Sequence, residues 1–442
     1  VPSRDPQLRA IDHDIRGLAV PALGALMAEP LFLLADSAMV GHLGSTQLAG
    51  LAVASTLLQT AVGLMIFLAY ATTPSVARRV GAGDRTGALT AGASGMWLAL
   101  LIGVVLSLAA LPAARPIIGW FSSDAGVAAE AATYLRVSLA GIPAMLLVLA
   151  GTGVLRGLQD TRTTLVVSGA GFLANIALNA ILIYGLRMGI AGSALGTVIA
   201  QWAMAAAYVA IVVRAARGSG ASLMPDPALI GGVATSSWWL FVRTVGLRIG
   251  VVATVWVAAR LGPAETAGYQ VLSTVFSAFA FGLDALAIAA QALLARAIGA
   301  GDREAVTTTT RRLITWGWRC GAAGALVIAA ASPVLGRVFT SDPTVLGPLP
   351  WTFLLMASGL PLAGYVFVLD GILIAAEDYP YLAIASVATI AVLLPVLLGV
   401  AATGTTGVAG MLLIWASYGF VFIGMRAVML TLRIRGTTWL RA

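Results

Sequence analysis

Twelve long apolar runs divide this chain, and each has about the ~20 residues that a helix needs to cross a bilayer. They lie near 17–41, 50–74, 88–111, 128–155, 163–184, 190–214, 232–259, 268–295, 311–333, 349–374, 380–402 and 406–432. Only 10% of the residues are charged and 60% are hydrophobic, against about 25% charged in a soluble domain. Apolar and polar residues do not alternate with period two, as they would in a lipid-facing barrel. The expected fold is therefore an all-α membrane protein of twelve transmembrane helices.

The net charge of +8 comes from arginine alone, since the chain contains no lysine. The arginines do not point to nucleic acid, because they sit in short connections between apolar runs. Arg78, Arg79 and Arg85, Arg156 and Arg162, Arg214 and Arg217, Arg296, Arg303, Arg311 and Arg312, and Arg433, Arg435 and Arg441 all fall on one side of the alternation. The other side has Arg115, Arg187, Arg260 and Arg337. Basic loops stay in the cytoplasm, so both termini are expected there, in agreement with an even number of spans.

The halves of the chain are one unit written twice. At an offset of 218, Leu43-Gly44 falls on Leu261-Gly262, the GAGDR of Gly81–Arg85 on that of Gly299–Arg303, and Gly141 and Pro143 on Gly359 and Pro361. One offset serving many landmarks marks a duplicated unit. Six spans per unit is even, so the halves share one orientation and are expected to be related by a pseudo-two-fold axis along the membrane normal. The expected organisation is a cytoplasmic tail at 1–16, an N-terminal lobe at 17–214, a linker at 215–231, a C-terminal lobe at 232–432 and a tail at 433–442.

The repeat also sorts the polar residues. Asp84 and Asp302, Asp124 and Asp342, and Asp160 and Asp378 recur in both halves at predicted helix ends, where a carboxylate caps the free N–H groups. Others occur once. Asp36 stands in the middle of the stretch Glu29–Gly44, inside the apolar first span, where a charge costs about 2.5–3.5 kcal/mol on insertion scales; its counterpart is Thr254. Asp284 maps onto Ile66, Asp370 onto Thr152, and Asn175 and Asn179 onto Leu393 and Leu397. Asn175 and Asn179 share a helix face, as do Thr197 and Gln201. Glu29 precedes Asp36 by seven, with Pro30 between them and Pro21 upstream as candidate hinges. One cysteine, Cys320, and two histidines exclude an internal disulfide and a histidine metal cluster, and offer no nucleophile–base pair for a membrane enzyme.

In Pro21, the run Asp36-Ser-Ala-Met-Val-Gly-His-Leu-Gly44, the two GAGDR loops, Arg156–Arg162 and Asn175–Gly196, the chain resembles the multidrug and toxic compound extrusion (MATE) transporters, within them the DinF-like branch. The resemblance implies a twelve-helix antiporter of two six-helix lobes that exports cationic, lipophilic compounds in exchange for protons or sodium. It makes Asp36 the first-helix aspartate of cation coupling, with Asn175 beside it. Asn179 stands where many relatives have a second aspartate, and Asp370 where the sodium-coupled branch has a tenth-helix acid. That branch also has a seventh-helix glutamate, which is missing here.

The expectation is thus a proton-coupled exporter of cationic or amphipathic small molecules, without cofactor or metal, acting as a monomer in a bacterial plasma membrane. The coupling residues are Asp36, Asn175, Asn179, Thr197 and Gln201, with Glu29, Asp284 and Asp370 as secondary candidates. The alternatives are sodium coupling and a flippase for a lipid-linked precursor; the latter would use interior arginines, for which Arg136, Arg243, Arg248 and Arg319 are available.

Overall fold

The computed structural model describes residues 6–121, 124–436 and 438–440. Every regular element among them is helical. Eleven helices are long and apolar enough to cross a membrane, and one bent pair supplies a twelfth span. They are α1 (Pro6–Gly41), α2 (Ser45–Gly81), α3 (Arg85–Ala114), α4 in two segments (Ala125–Leu139 and Ile142–Gly157), α5 (Thr161–Gly185), α6 (Gly189–Ser219), α7 (Pro227–Leu261), α8 (Pro263–Gly299), α9 (Arg303–Val338), α10 (Pro343–Ala375), α11 (Tyr379–Thr403) and α12 (Gly407–Arg435). The expected all-α, twelve-span fold is the observed one.

The duplication is visible in the backbone. Gly83 and Gly301, in the two GAGDR loops, have φ of 78° and 70°, the left-handed conformation that closes a helix and that glycine adopts without strain. Gln159 and Glu377 match in the same way, at 63° and 60°. A side chain at Gly103 would meet Cα of Pro143 at 2.5 Å, and one at its counterpart Gly321 would meet Cα of Pro361 at 2.6 Å. In each half a glycine thus lets one helix lie directly on the backbone of another, the small-residue packing usual between spans.

Five of the six repeated aspartates accept a hydrogen bond from a backbone N–H two or three residues on: Asp84 from Gly87, Asp124 from Val127, Asp160 from Thr163, Asp302 from Ala305 and Asp342 from Thr344. At the exposed Asp342, the Thr344 hydroxyl and backbone N–H hold the carboxyl below its ordinary range. Asp378 departs from the pattern. It makes no cap and instead accepts from Arg433 Nε at 2.5 Å.

Span α4 is broken where a continuous 128–155 was expected, with a bend of 52°. The break frees carbonyls that lipid cannot satisfy. Ser107 Oγ donates to the Leu139 carbonyl at 2.7 Å and Trp202 Nε1 to that of Ala140 at 3.0 Å. The matching Gly359 and Pro361 lie inside Leu349–Ala375, the uninterrupted part of α10.

Two compact units divide the chain. The first is Val20–Ser237; the second is Val1–Ala19 together with Trp238–Ala442. The linker around Leu223 thus falls in the first unit, and the leading segment of α1 falls in the second.

Candidate functional site

In the first unit, Asp36 of α1 is 3% exposed. Its Oδ1 accepts from Asn179 Nδ2 of α5 at 2.9 Å and from the Ser193 hydroxyl of α6, and its Oδ2 accepts from the Tyr134 hydroxyl of α4 at 3.3 Å. Asn179 Nδ2 also donates to Asn175 Oδ1 at 3.2 Å, and Asn175 Nδ2 to Thr197 Oγ1 at 3.2 Å. The Thr197 hydroxyl in turn donates to the Ser193 carbonyl at 3.0 Å. Four spans therefore converge on one carboxylate.

Two local features place these side chains. Asn175 and Asn179 are one helical turn apart, as are Ser193 and Thr197, so each pair presents one face. Gly196 makes the space: a Cβ there would lie 2.1 Å from Asn179 Oδ1. Beyond Asn179, α5 ends in a π-helical turn, Ile181–Gly185, a deformation often found at functional sites. Within it Tyr184 donates to the Met39 carbonyl of α1 at 2.7 Å, which ties the two helices together one turn beyond Asp36.

All the contacts to Asp36 are donors, which suits the ionised acid, an acceptor only. Among the described residues no cationic side chain pairs with it. Asn179 Oδ1 is buried with no hydrogen-bond partner among the described residues.

Asp36, Asn175, Asn179 and Thr197 thus come together. Gln201, one turn beyond Thr197, is half-buried and makes no hydrogen bond to them among the described residues. Pro21 and Pro30 both lie inside the continuous α1. The side chain of Glu29 falls outside the described residues. Tyr134 and Ser193 are additional. The repeat could have found Ser193, whose counterpart is Met411, but not Tyr134, whose counterpart Thr352 also carries a hydroxyl; the counterparts of Asp36, Asn175, Asn179 and Thr197 are Thr254, Leu393, Leu397 and Trp415, and all six are buried.

The second unit carries a different cluster. Asp370 of α10 is buried and accepts from Arg243 of α7, Nε to Oδ1 at 3.3 Å and Nη2 to Oδ2. Arg426 of α12 approaches the same Oδ1 at 3.3 Å and lies over the Phe422 ring at 5.9 Å. The matching positions in the first unit are Ala25, Thr152 and Tyr208, where Thr152 Oγ1 donates to the Tyr208 hydroxyl at 3.2 Å. The same geometry thus holds a neutral pair in one half and an ion triplet in the other. Asp284 is half-buried on α8, which belongs to this second unit. Of the arginines singled out from sequence, Arg243 is buried, whereas Arg136, Arg248 and Arg319 are exposed.

Twelve spans built from two six-span repeats, with a buried carboxylate network where the end of α1 meets the end of α5 and the start of α6, have the plan of a multi-pass secondary transporter. The signature of the MatE family matches residues 21–181 and 248–400, and the chain belongs to that family. It is similar to Protein DETOXIFICATION 44, chloroplastic, of Arabidopsis thaliana, 29% identical over 77% of this chain and 68% of that one. It is also 28% identical to DNA damage-inducible protein F of Escherichia coli, over 67% of this chain and 65% of that one. A MOP superfamily transporter from Pyrococcus furiosus has the same fold, with a TM-score of 0.86 at 19% identity and 100% of each chain covered.

Proposed function

We propose that this transporter is a proton-coupled antiporter with Asp36 as its coupling group, exporting cationic, lipophilic compounds. We place it in a bacterial plasma membrane, as a monomer with both termini in the cytoplasm. The observation that carries the reading is a buried carboxylate with three donors and no cationic partner among the described residues. Ionisable groups buried within membrane spans mark ion and proton paths.

Ionised, Asp36 accepts from all three neighbours and offers negative charge to a cationic substrate. A proton arriving on Oδ1 turns that oxygen into a donor facing donors. Asn179 resolves the conflict by turning its amide, because its Oδ1 is a buried acceptor without a partner among the described residues. That turn breaks its bond to Asn175 and alters the contact between α1 and α5, with Pro21 and Pro30 allowing α1 to bend. The substrate loses its counter-charge on the side where the proton entered, so export is linked to proton entry.

Sodium coupling is less well supported. A sodium ion needs several oxygens turned toward it, whereas Asp36 is surrounded by N–H and O–H hydrogens, and Asp370 is held between two guanidinium groups. A second reading, movement of a lipid-linked precursor by its phosphate, is supported by the buried Arg243 and Arg426. For the Pyrococcus furiosus transporter, a binding pocket of reverse polarity suggests a different function.

The test is ethidium transport in proteoliposomes under an imposed pH gradient or an imposed sodium gradient, run separately. Movement driven by the pH gradient alone is expected. Movement driven by sodium alone overturns the reading, and transbilayer movement of a fluorescent lipid-linked phosphate without ethidium transport favours the second.

A further inference from the structure

Two helices change unit along their length. Helix α1 belongs to the second unit up to Ala19 and to the first from Val20; α7 belongs to the first up to Ser237 and to the second from Trp238. Ser237 stands 218 positions after Ala19, so the exchange follows the repeat.

The two leading segments are held by different chemistry. The chain before α7 is held through neutral bonds to its backbone: Trp97 Nε1 donates to the Leu223 carbonyl at 3.0 Å and the Thr86 hydroxyl to that of Ser219 at 3.0 Å. The leading segment of α1 is held by a charge. Asp12, buried, accepts from Arg312 of α9 through both carboxylate oxygens, Nε to Oδ1 at 2.6 Å and Nη2 to Oδ2. Trp316 Nε1 donates to the same Oδ1 at 2.8 Å. Arg16 Nε donates to the Asp12 carbonyl at 3.2 Å, Ile15 is buried, and Leu18 packs on Ala289 and Ala292 of α8.

The scaffold does not require this arrangement, since the repeat counterparts of Asp12, Arg312 and Trp316 are Ile230, Ser94 and Leu98. A transporter that rocks one bundle against the other must accommodate a helix shared by both. A two-pronged guanidinium–carboxylate contact is a geometrically specific link, and Pro21 weakens α1 two residues beyond the crossing.

We propose that Asp12, Arg312 and Trp316 form a latch that holds the leading segment of α1 on the second unit in one state of the transport cycle and releases it in the other. The proposal rests on alternating access, not on Asp36 as the coupling group. In a Cys320→Ser background, Leu18→Cys and Ala289→Cys are joined by a short thiol cross-linker, and ethidium efflux is followed in proteoliposomes before and after reductive cleavage of the linker. The cross-linked protein is expected to lose transport at least ~10-fold and to regain it on cleavage. Equal rates in both forms overturn the latch. An arm independent of any substrate follows maleimide labelling of Leu18→Cys alone. Asp12→Asn is expected to speed labelling several-fold, and the exchanged pair Asp12→Arg with Arg312→Asp to slow it again. Labelling that ignores Asp12→Asn overturns the latch whether or not ethidium moves.

Discussion

Asn179 donates to Asp36 at 2.9 Å while its own Oδ1 stays buried without a partner among the described residues. An unpaired buried carbonyl costs about 1–3 kcal/mol. In the proposed mechanism it serves as the acceptor that Asp36 needs on taking up a proton.

The first prediction concerns Asn179 itself. Asn179→Asp puts a second carboxylate against Asp36, and two adjacent acids share a proton or recruit a cation. Ethidium export by this variant is expected to gain a response to sodium that the parent lacks, read in proteoliposomes with and without a sodium gradient. A variant as indifferent to sodium as the parent would count against direct contact between the two residues.

Gly196 is expected to tolerate no side chain. A methyl group at this position meets Asn179 Oδ1 at 2.1 Å, and overpacking a tight site costs about 1–3 kcal/mol. Gly196→Ala should lower the melting temperature and reduce transport together. Gly83→Ala, whose Cβ would have open space, should be only mildly destabilising, from its positive φ, with transport retained.

Asp370 should behave as a structural residue. Removing one member of a buried ion cluster leaves charge uncompensated and costs about 3–5 kcal/mol. Asp370→Asn is therefore expected to destabilise strongly, as read by thermal unfolding in detergent, while the folded fraction keeps its proton dependence. A fully stable Asp370→Asn that has lost coupling would move the coupling site to the second unit.

The capping aspartates separate stability from function. Asp302→Ala removes the bond to the Ala305 N–H and should cost about 0.5–2 kcal/mol, leaving the initial rate of ethidium export near that of the parent. A large loss of rate at unchanged stability would show that the GAGDR loop takes part in transport.

Span number and the core of the site were legible because both rest on patterns within the chain. Apolar run length gave the spans, and the 218-residue repeat exposed Asp36, Asn175 and Asn179 as polar residues with apolar or threonine counterparts. Ser193 was within reach, four residues before Thr197 on the same face, but a serine in a helix most often bonds its own backbone. Tyr134 offered no periodic signal. The break in α4 could not be read, since the same Gly-x-Pro spacing at Gly359 and Pro361 lies in a continuous helix. Nor could the partners of Asp370: Arg243 and Arg426 come from spans far away in sequence, and only packing brings them to one carboxylate. The anchoring of Asp12 was hidden for the same reason, because a short polar stretch ahead of a span reads as a tail until Arg312 and Trp316 are seen around it.

The most direct test of the account is proton movement accompanying ethidium export in proteoliposomes, compared between the parent and Asp36→Asn. The substitution keeps the size of the side chain and removes the titratable group. Ethidium-dependent proton flux in the parent, and its loss together with gradient-driven export in a folded Asp36→Asn, is the predicted result. Parent-like proton flux and export in Asp36→Asn would contradict the account.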